Sequence, residues 1–346
     1  MLYRGLLKDT ISASNPRLRR EQLYFNTVGL EGIQCFNRTM SNGQLIQKGF
    51  KSQININDFK LSPDGESLYF SLYSSRVVTK FGRSMVDGTL SYITNGAIAA
   101  GNFWLSNNAV VDDIQISPDS NYVYACSRYG GAITVFSKNM STLSYTVTGT
   151  IASPSYPGDI GSGPVSMALS KTDKLYVNNP SQGNLQTFIR NVSTGALTSS
   201  WITPFNLLGM LLISPDDKNI YLWTNTTIEV FTAGSSLSHI QSIGYTDIRS
   251  IVFSKDGKFL YIGTTNNIIY LNRDTITGTL STPVNNVMPR SSNYGNLIVS
   301  KDNKYMYSST DHAIESYTRN EVTGSLYYNG QYSSTYQVYN IEATSL

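Results

Sequence analysis

The chain has 346 residues, only 14% of them charged, and a formal net charge of +3. This length allows one large domain with a sizeable core, and so small a positive charge does not indicate a nucleic-acid partner. The charged fraction is well below the roughly 25% of average soluble proteins. Ser, Thr, Asn and Tyr fill the polar positions instead, a composition more typical of extracellular, virion or surface proteins than of a cytosolic enzyme.

Residues 1–20 form the first segment, a basic arm with Arg4, Lys8, Arg17, Arg19 and Arg20. The arm lacks the long apolar core of a signal peptide. No apolar run in the chain reaches membrane-spanning length. We therefore expect a chain that stays in the cytoplasm or is carried on the surface of a virion or other particle. The arm either lies over the body of the protein or docks on a neighbouring subunit.

Residues 21–346 are organised by a repeated turn, Ser-Pro-Asp-Gly or a variant of it, between two apolar runs. Pro presets φ at the second turn position, Asp bonds its own backbone, and Gly or Asn tolerates positive φ. The turns begin at Ser62, Ser117, Ser170, Ser214, Ser254 and Ser300. The run after each turn carries a tyrosine, and Tyr24 occupies the same place in an altered first unit. The six others are Tyr69, Tyr124, Tyr176, Tyr221, Tyr261 and Tyr307.

Three further segments complete each unit. After the tyrosine comes an alternating segment such as Ile228-Glu229-Val230-Phe231, whose period of two is that of a strand with two different faces. In most units a Gly-x-Leu turn then leads into a third strand, and a fourth strand precedes each Ser turn. Units of four strands and roughly 40–50 residues predict the blades of a β-propeller, with a solenoid as the alternative architecture.

We therefore predict an all-β fold, a seven-bladed β-propeller with four antiparallel strands per blade. The first unit lacks an innermost strand, and Val338–Thr344 has the pattern of one extra strand. This C-terminal strand is predicted to complete the first blade, because closure of the ring removes exposed sheet edges. Cys35 and Cys126 fall in non-adjacent blades and are expected to be free thiols.

The succession Ser-Pro-Asp-Gly, Leu-Tyr, Ile-x-Val-Phe and Thr-Gly-x-Leu resembles the YVTN-repeat and lactonase-like family of seven-bladed propellers, over about residues 18–346. The resemblance implies the propeller fold. It leaves function open, because the family holds 6-phosphogluconolactonase-like enzymes as well as surface and binding proteins.

Strand direction places two sets of connections at opposite ends of the ring. The Ser turns and the Gly-x-Leu turns share one end, called here the Ser-turn end, and the longer connections share the other, the long-loop end. Long loops on a rigid scaffold usually carry function, and Tyr and Trp are enriched at interfaces. The candidate partner- or ligand-binding residues are Phe103, Trp104, Tyr129, Tyr156, Trp201, Phe205 and Tyr294. The alternative is that these aromatic side chains fill gaps between blades.

Four carboxylates lie near the expected mouth of the channel, just ahead of or at the start of innermost strands: Asp58, Asp112, Asp113 and Asp247. Such a ring could hold a cation or a polar ligand. The alternative is that each carboxylate bonds backbone at a strand start. The sequence has no metal-binding motif and no phosphate-binding glycine loop, so we predict no cofactor and no metal.

Catalytic candidates are few. His239 falls in an outer strand, and His312 in a loop at the long-loop end. A lactonase-like pocket needs a base near the channel and an arginine that holds the acid group, and His312 with Arg249 or Arg290 is the one assembly that the sequence offers. No Ser/His/Asp set is evident.

These observations favour a non-catalytic binding or assembly module, a structural or attachment component of a virion or surface assembly. Its partner would be another protein bound at the long-loop end, with a glycan as a second kind of ligand. The first alternative is a lactone hydrolase of the 6-phosphogluconolactonase type, which the resemblance implies. The second is a carbohydrate-binding propeller that uses Trp104 and Trp201.

Overall fold

The computed structural model describes residues 21–28, 32–53, 56–72, 77–92, 103–104, 111–127, 132–139, 144–152, 165–283, 288–289, 295–334 and 337–343. Its strands form seven antiparallel sheets, and the innermost strands of neighbouring sheets contact one another around a central channel. The predicted seven-bladed propeller is confirmed. The basic arm, 1–20, lies outside the described residues. Within the described ranges, no helix is long and apolar enough to cross a membrane.

The strands are numbered in chain order and grouped by blade. Blade 1 contains β1 (Gln22–Val28), β2 (Gly32–Arg38) and β3 (Leu45–Ser52); blade 2 contains β4 (Ile56–Leu61), β5 (Ser67–Leu72), β6 (Val77–Arg83), β7 (Leu90–Tyr92) and β8 (Phe103–Trp104). Blade 3 contains β9 (Asp113–Ile116), β10 (Tyr122–Ser127), β11 (Ala132–Asn139) and β12 (Ser144–Ala152); blade 4 contains β13 (Ser166–Leu169), β14 (Lys174–Asn179), β15 (Asn184–Arg190) and β16 (Leu197–Pro204). Blade 5 contains β17 (Met210–Ile213), β18 (Asn219–Trp223), β19 (Thr227–Thr232) and β20 (His239–Gly244); blade 6 contains β21 (Ser250–Phe253), β22 (Phe259–Gly263), β23 (Asn267–Asn272) and β24 (Met288–Pro289). Blade 7 contains β25 (Leu297–Val299), β26 (Tyr305–Ser309), β27 (Ala313–Arg319) and β28 (Leu326–Ser333), and β29 (Gln337–Ala343) follows it.

The C-terminal strand closes the ring as predicted. β29 pairs antiparallel with β1, with Leu23 opposite Ala343 and Phe25 opposite Ile341. It also contacts β25 of blade 7 and β4 of blade 2. Because the two ends of the chain thus share one sheet, blade 1 cannot leave the ring without breaking a ladder of backbone hydrogen bonds.

The core lies between the blades, because alternate residues of each strand face opposite neighbours. On β22, Leu260 and Ile262 pack against blade 5, whereas Phe259 and Tyr261 pack against blade 7. The period-two pattern of the sequence therefore indicates that each strand packs against both neighbouring blades.

Trp201 and the pair Phe103 and Trp104, which were predicted to lie in long loops, lie in strands, which corrects that assignment. β16 extends to Pro204, so Trp201 lies on the outer strand of blade 4 opposite Thr187. β8 returns to pair with β6 beside β7. Outer strands are solvated on one edge and carry few apolar residues, so their sequences resemble loops.

The recurring tyrosines hold adjacent blades together. Each of these seven side chains is buried, and in five of them the hydroxyl donates to the carbonyl of the glycine in the Gly-x-Leu turn of the next blade. The described pairs are Tyr24 to Gly88 at 2.7 Å, Tyr124 to Gly195 at 3.0 Å, Tyr221 to Gly278 at 2.6 Å, Tyr261 to Gly324 at 2.8 Å and Tyr307 to Gly43 at 2.8 Å. The last pair links blade 7 to blade 1 and so strengthens the closure.

A buried arginine completes this contact in the blades that have the glycine. In blade 6, Arg273 donates from Nε to the Tyr221 hydroxyl at 2.8 Å and from its terminal nitrogens to Asp216 in the Ser turn of blade 5. Burial tends to raise the pKa of Asp216, but the hydrogen bonds from Ser214 and Arg273 outweigh it and hold that pKa below its usual value. The carboxylate therefore stays charged opposite the guanidinium. The corresponding arginines are Arg38, Arg83, Arg190 and Arg319.

Replacing Gly324 with alanine is expected to destabilise the propeller. Its φ is +77°, and a Cβ there would lie 2.5 Å from Cδ1 of Phe259. The left-handed backbone and the collision together should lower the free energy of unfolding by about 2–3 kcal/mol. Denaturant unfolding of the variant measures this loss. Gly244→Ala is the matched control, since nothing lies within 4 Å of its Cβ position. Equal losses in the two variants would contradict the assignment.

Candidate functional site

A cluster of charged side chains lies where the innermost strands of blades 2, 3 and 4 meet at the channel. Asp113, the first residue of β9, is 6% exposed. Its Oδ2 accepts the backbone N–H of Met167 at 2.7 Å and a longer hydrogen bond from Ser166 Oγ at 3.4 Å. Ser166 Oγ in turn accepts the backbone N–H of Leu211 at 2.9 Å. The carboxylate is thus held in place by the inner strand of the next blade.

Blade 2 contributes the other charges of this cluster. Asp58 and Lys60 alternate with Phe59 and Leu61 along β4. Phe59 and Leu61 pack against blade 1, so the two charged side chains are on the face turned towards blade 3. Both are half-buried.

The electrostatics of the cluster raise the pKa of both carboxyl groups. Burial raises the pKa of Asp113 to about 6; the Lys60 ammonium opposes this rise and the Asp58 carboxylate adds to it. Burial likewise raises the pKa of Asp58, against the attraction of Lys60. Asp113, with its pKa raised towards neutral pH, can therefore accept and return a proton, which suits general acid–base chemistry.

A cavity of about 360 Å³ opens at the Ser-turn end of the channel, beside this cluster. Gln115 lines it, and Nε2 of the same side chain donates to Asp113 Oδ1 at 3.3 Å and to the Met167 carbonyl at 3.0 Å. Asp113 and Gln115 share one face of β9, roughly 6.6 Å apart along the strand. A small molecule in the cavity would lie next to Gln115 and within reach of Asp113 through one water.

Two of the predicted channel carboxylates come together and another does not. Asp58 and Asp113 form the cluster, whereas Asp247 accepts the Thr265 backbone N–H at 2.8 Å and Arg249 Nε at 2.7 Å. The hydrogen bonds from Thr265, more than Arg249, hold the pKa of Asp247 below its usual value. Asp112 is half-buried, and its backbone N–H donates to the Cys126 carbonyl. Bonding to backbone therefore accounts for Asp247.

The histidines lie apart from the cluster. His239 is on the outer strand β20, as predicted, where Nε2 lies 2.8 Å from Glu229 Oε2 and the ring stacks on Phe205 at 5.7 Å. His312 is exposed in the turn between β26 and β27. Arg249 contacts Asp247, and Arg290 lies outside the described residues, so a site built on His312 stays a prediction.

The structure describes the side chains of two of the seven predicted aromatic binding residues, Trp201 and Phe205. Trp201 is 53% exposed on β16, and Phe205 packs edge-on against Phe231 at 4.9 Å, so Phe205 fills a gap between blades 4 and 5. The structure describes only the backbone of Phe103 and Trp104, in β8. Tyr129, Tyr156 and Tyr294 lie outside the described residues. A common binding surface formed by these aromatics stays a prediction.

Sequence reasoning missed Lys60, Gln115 and Ser166. A signal was present, because each is a polar residue on an innermost strand whose neighbours are apolar. Both cysteines are free and buried, as expected. In the part of the chain that the structure describes, no three His, Cys, Asp or Glu side chains are grouped so as to hold a metal ion.

Comparison with known proteins shows that the chain is similar to lactonase-like propellers in part of its sequence and in its fold. A family model described as "Lactonase, 7-bladed beta-propeller" matches residues 102–203. A Bacteroides uniformis protein put forward as a 6-phosphogluconolactonase is 18% identical with a TM-score of 0.79, over 94% of this chain and 99% of that one. The Pseudomonas aeruginosa periplasmic gluconolactonase is 15% identical with a TM-score of 0.74, over 94% and 99%. No characterised protein sequence matches at a significant level.

The predicted resemblance is confirmed in its lactonase-like part; the YVTN-repeat name has no counterpart in the matching description. At these identities the structural likenesses establish the fold alone. The main functional prediction, a non-catalytic virion or surface assembly module, is wrong, because the matching family is one of lactonases and the similar structures are described as gluconolactonases. A protein partner and the cellular location stay predictions.

Proposed function

We propose that this chain, a lactonase-like seven-bladed propeller, is a lactone hydrolase that works at the Asp58–Lys60–Asp113 cluster. The observation that carries the proposal is a buried carboxyl group with a pKa of about 6 beside a ligand-sized cavity. The lactonase family model and the gluconolactonases among the similar structures support the same reaction class.

In the proposed reaction, ionised Asp113 takes a proton from a water at the floor of the cavity. The water oxygen bonds to the lactone carbonyl carbon, and the negative charge that develops on the carbonyl oxygen is stabilised by the Lys60 ammonium. The ring C–O bond then breaks, and the ring oxygen leaves as a hydroxyl group after it takes the proton from Asp113. The product is the open hydroxy acid, and Asp113 is ionised again.

The test is turnover of a panel of five- and six-membered lactones by the purified protein. Acid release is followed with a pH indicator against spontaneous hydrolysis in the same buffer. We expect at least one lactone to be opened 100-fold faster than background at equal protein and substrate concentrations. Rates at background for the whole panel would exclude lactone hydrolysis.

A further inference from the structure

The cavity at the Ser-turn end is chemically unlike a phosphate site. Its apolar walls are formed by Leu61, Ile116 and Leu169, and by Ala343 of the closing strand, while Gln115, Ser170 and Lys171 complete the lining. Pro63 and Pro118, from the Ser-Pro turns of blades 2 and 3, form its rim. Apolar walls of this kind favour a hydrocarbon surface, which gains free energy when it leaves water.

The one lysine that lines the cavity is committed elsewhere. Lys171 Nζ donates to the Pro215 carbonyl in the Ser turn of blade 5, and the Lys171 backbone N–H donates to Asp217 Oδ2 at 2.7 Å. The ammonium therefore already has an acceptor in blade 5. No other cationic side chain is among the lining residues that the structure describes.

The carboxylates around the cavity disfavour an anion. The turns that carry Pro63 and Pro118 continue into Asp64 and Asp119 at the rim. Deeper in the channel, two carboxyl groups face the single charge of Lys60. Among the described residues, these carboxylates outnumber the cationic side chains, so a phosphate or carboxylate on the ligand would meet mostly like charges, which costs free energy.

From these observations we propose that the cavity binds the hydrocarbon part of an uncharged lactone, which enters from the Ser-turn end. This substrate class rests on the proposed lactone hydrolysis, but the binding site does not. The phosphorylated lactones implied by the names of some similar proteins would be poor substrates, as would any lactone that bears an anionic group. Gln115 would contact the ring of the bound lactone, with the apolar substituent against Leu61, Leu169 and Ala343.

Binding is tested with the lactam analogue of δ-decalactone, which carries a pentyl chain and resists hydrolysis. Isothermal titration of the wild type, of Ala343→Leu and of Ala196→Leu separates the cavity from the rest of the surface, because Ala196 is exposed in the Gly-x-Leu turn of blade 4. We expect Ala343→Leu to weaken lactam binding at least 10-fold and Ala196→Leu to leave it unchanged. Equal affinity in all three proteins, or no binding to the wild type, would overturn the site.

Substrate class is tested by the ratio of kcat/KM for δ-decalactone to that for 6-phosphoglucono-δ-lactone. We expect a ratio above 100 in the wild type, and a drop of at least 10-fold in kcat/KM for δ-decalactone in Ala343→Leu. A preference for the phosphorylated lactone would refute the substrate class while leaving lactone hydrolysis intact. Cavity-dependent lactam binding without turnover of any lactone would refute the hydrolysis while leaving the binding site intact.

Discussion

Arg273→Ala is expected to destabilise the propeller by about 3–5 kcal/mol, the largest effect of any single substitution outside the site. The side chain is fully buried and bonds the Tyr221 hydroxyl, the Gly257 carbonyl and Asp216, so its loss leaves several buried partners without a donor. Blades 5 and 6 would lose the contact that joins them. The denaturant midpoint of the variant, measured by tryptophan fluorescence, reports this loss.

The matched control is Arg249→Ala. Arg249 also pairs with an aspartate, at 2.7 Å from Asp247, but its side chain is 44% exposed. Pairs of this kind contribute about 0–1 kcal/mol. Arg273→Lys should fall between alanine and wild type, because an ammonium cannot keep all the bonds of the planar guanidinium. If the free energies of unfolding of Arg273→Ala and Arg249→Ala differed by less than about 1 kcal/mol, the Arg273 contact would not be what holds these blades together.

Asp113→Asn is expected to reduce kcat for lactone hydrolysis by 10²–10⁴-fold, since an amide cannot accept the proton from water. In the wild type, kcat/KM should rise with pH through about 6 and then level off, because only the ionised carboxyl group acts as the base. The variant should lose that dependence. Stopped-flow measurement of hydrolysis between pH 4.5 and 8 gives both results.

The same substitution is expected to increase stability relative to the wild type, and the increase should grow with pH. A pKa of about 6 in the folded protein, above the roughly 3.9 of an unfolded aspartate, means that ionisation costs the folded state free energy. This cost to the free energy of unfolding is absent below about pH 4. It grows between about pH 4 and pH 6 and is constant above that range. Relative to the wild type, Asp113→Asn should therefore be more stable at pH 7.5 than at pH 4, by on the order of 2 kcal/mol.

Two controls separate catalysis from folding. Asp274→Asn changes an exposed carboxylate in the Gly-x-Leu turn of blade 6 and should leave kcat unchanged. Lactam binding to Asp113→Asn should be retained within threefold, because the cavity walls are intact. A variant with full kcat and an unaltered pH profile would show that Asp113 is a structural residue that only bonds Met167.

Much of the fold could be predicted because each blade is specified by short-range sequence patterns that repeat along the chain. Ser-x-Asp turns, period-two strands and one tyrosine per unit are each short-range patterns, and repetition makes them reliable. The role of the tyrosine could not be predicted, because its hydroxyl binds a glycine that is distant in the sequence. Apart from the ring-closing pair of Tyr307 and Gly43, the separation is 57–71 residues. The arginine that completes the contact lies two positions after the last buried residue of the alternating segment, a signal visible in the sequence in five units: after Phe36, Phe81, Phe188, Leu271 and Tyr317.

The site was harder to predict. Asp58 and Asp113 were recognised as channel residues, but Lys60, on the same face of β4 as Asp58, was not. The described cavity opens at the Ser-turn end, which the sequence did not single out, and binding at the long-loop end stays a prediction. Composition also misled, because a low fraction of charged residues does not argue against a lactonase-like propeller.

The amino-acid sequence by itself determined the number of blades, the order of strands in each and the strand that closes the ring, because these follow from turn chemistry and a period of two. Only the tertiary structure decided that Asp58, Lys60 and Asp113 are neighbours and that an apolar cavity opens beside them. Asp113 belongs to a different blade from Asp58 and Lys60, and their proximity depends on how the innermost strands converge on the axis. The elevated pKa of Asp113 has the same origin, since neither burial nor the field of Asp58 exists until the ring is closed.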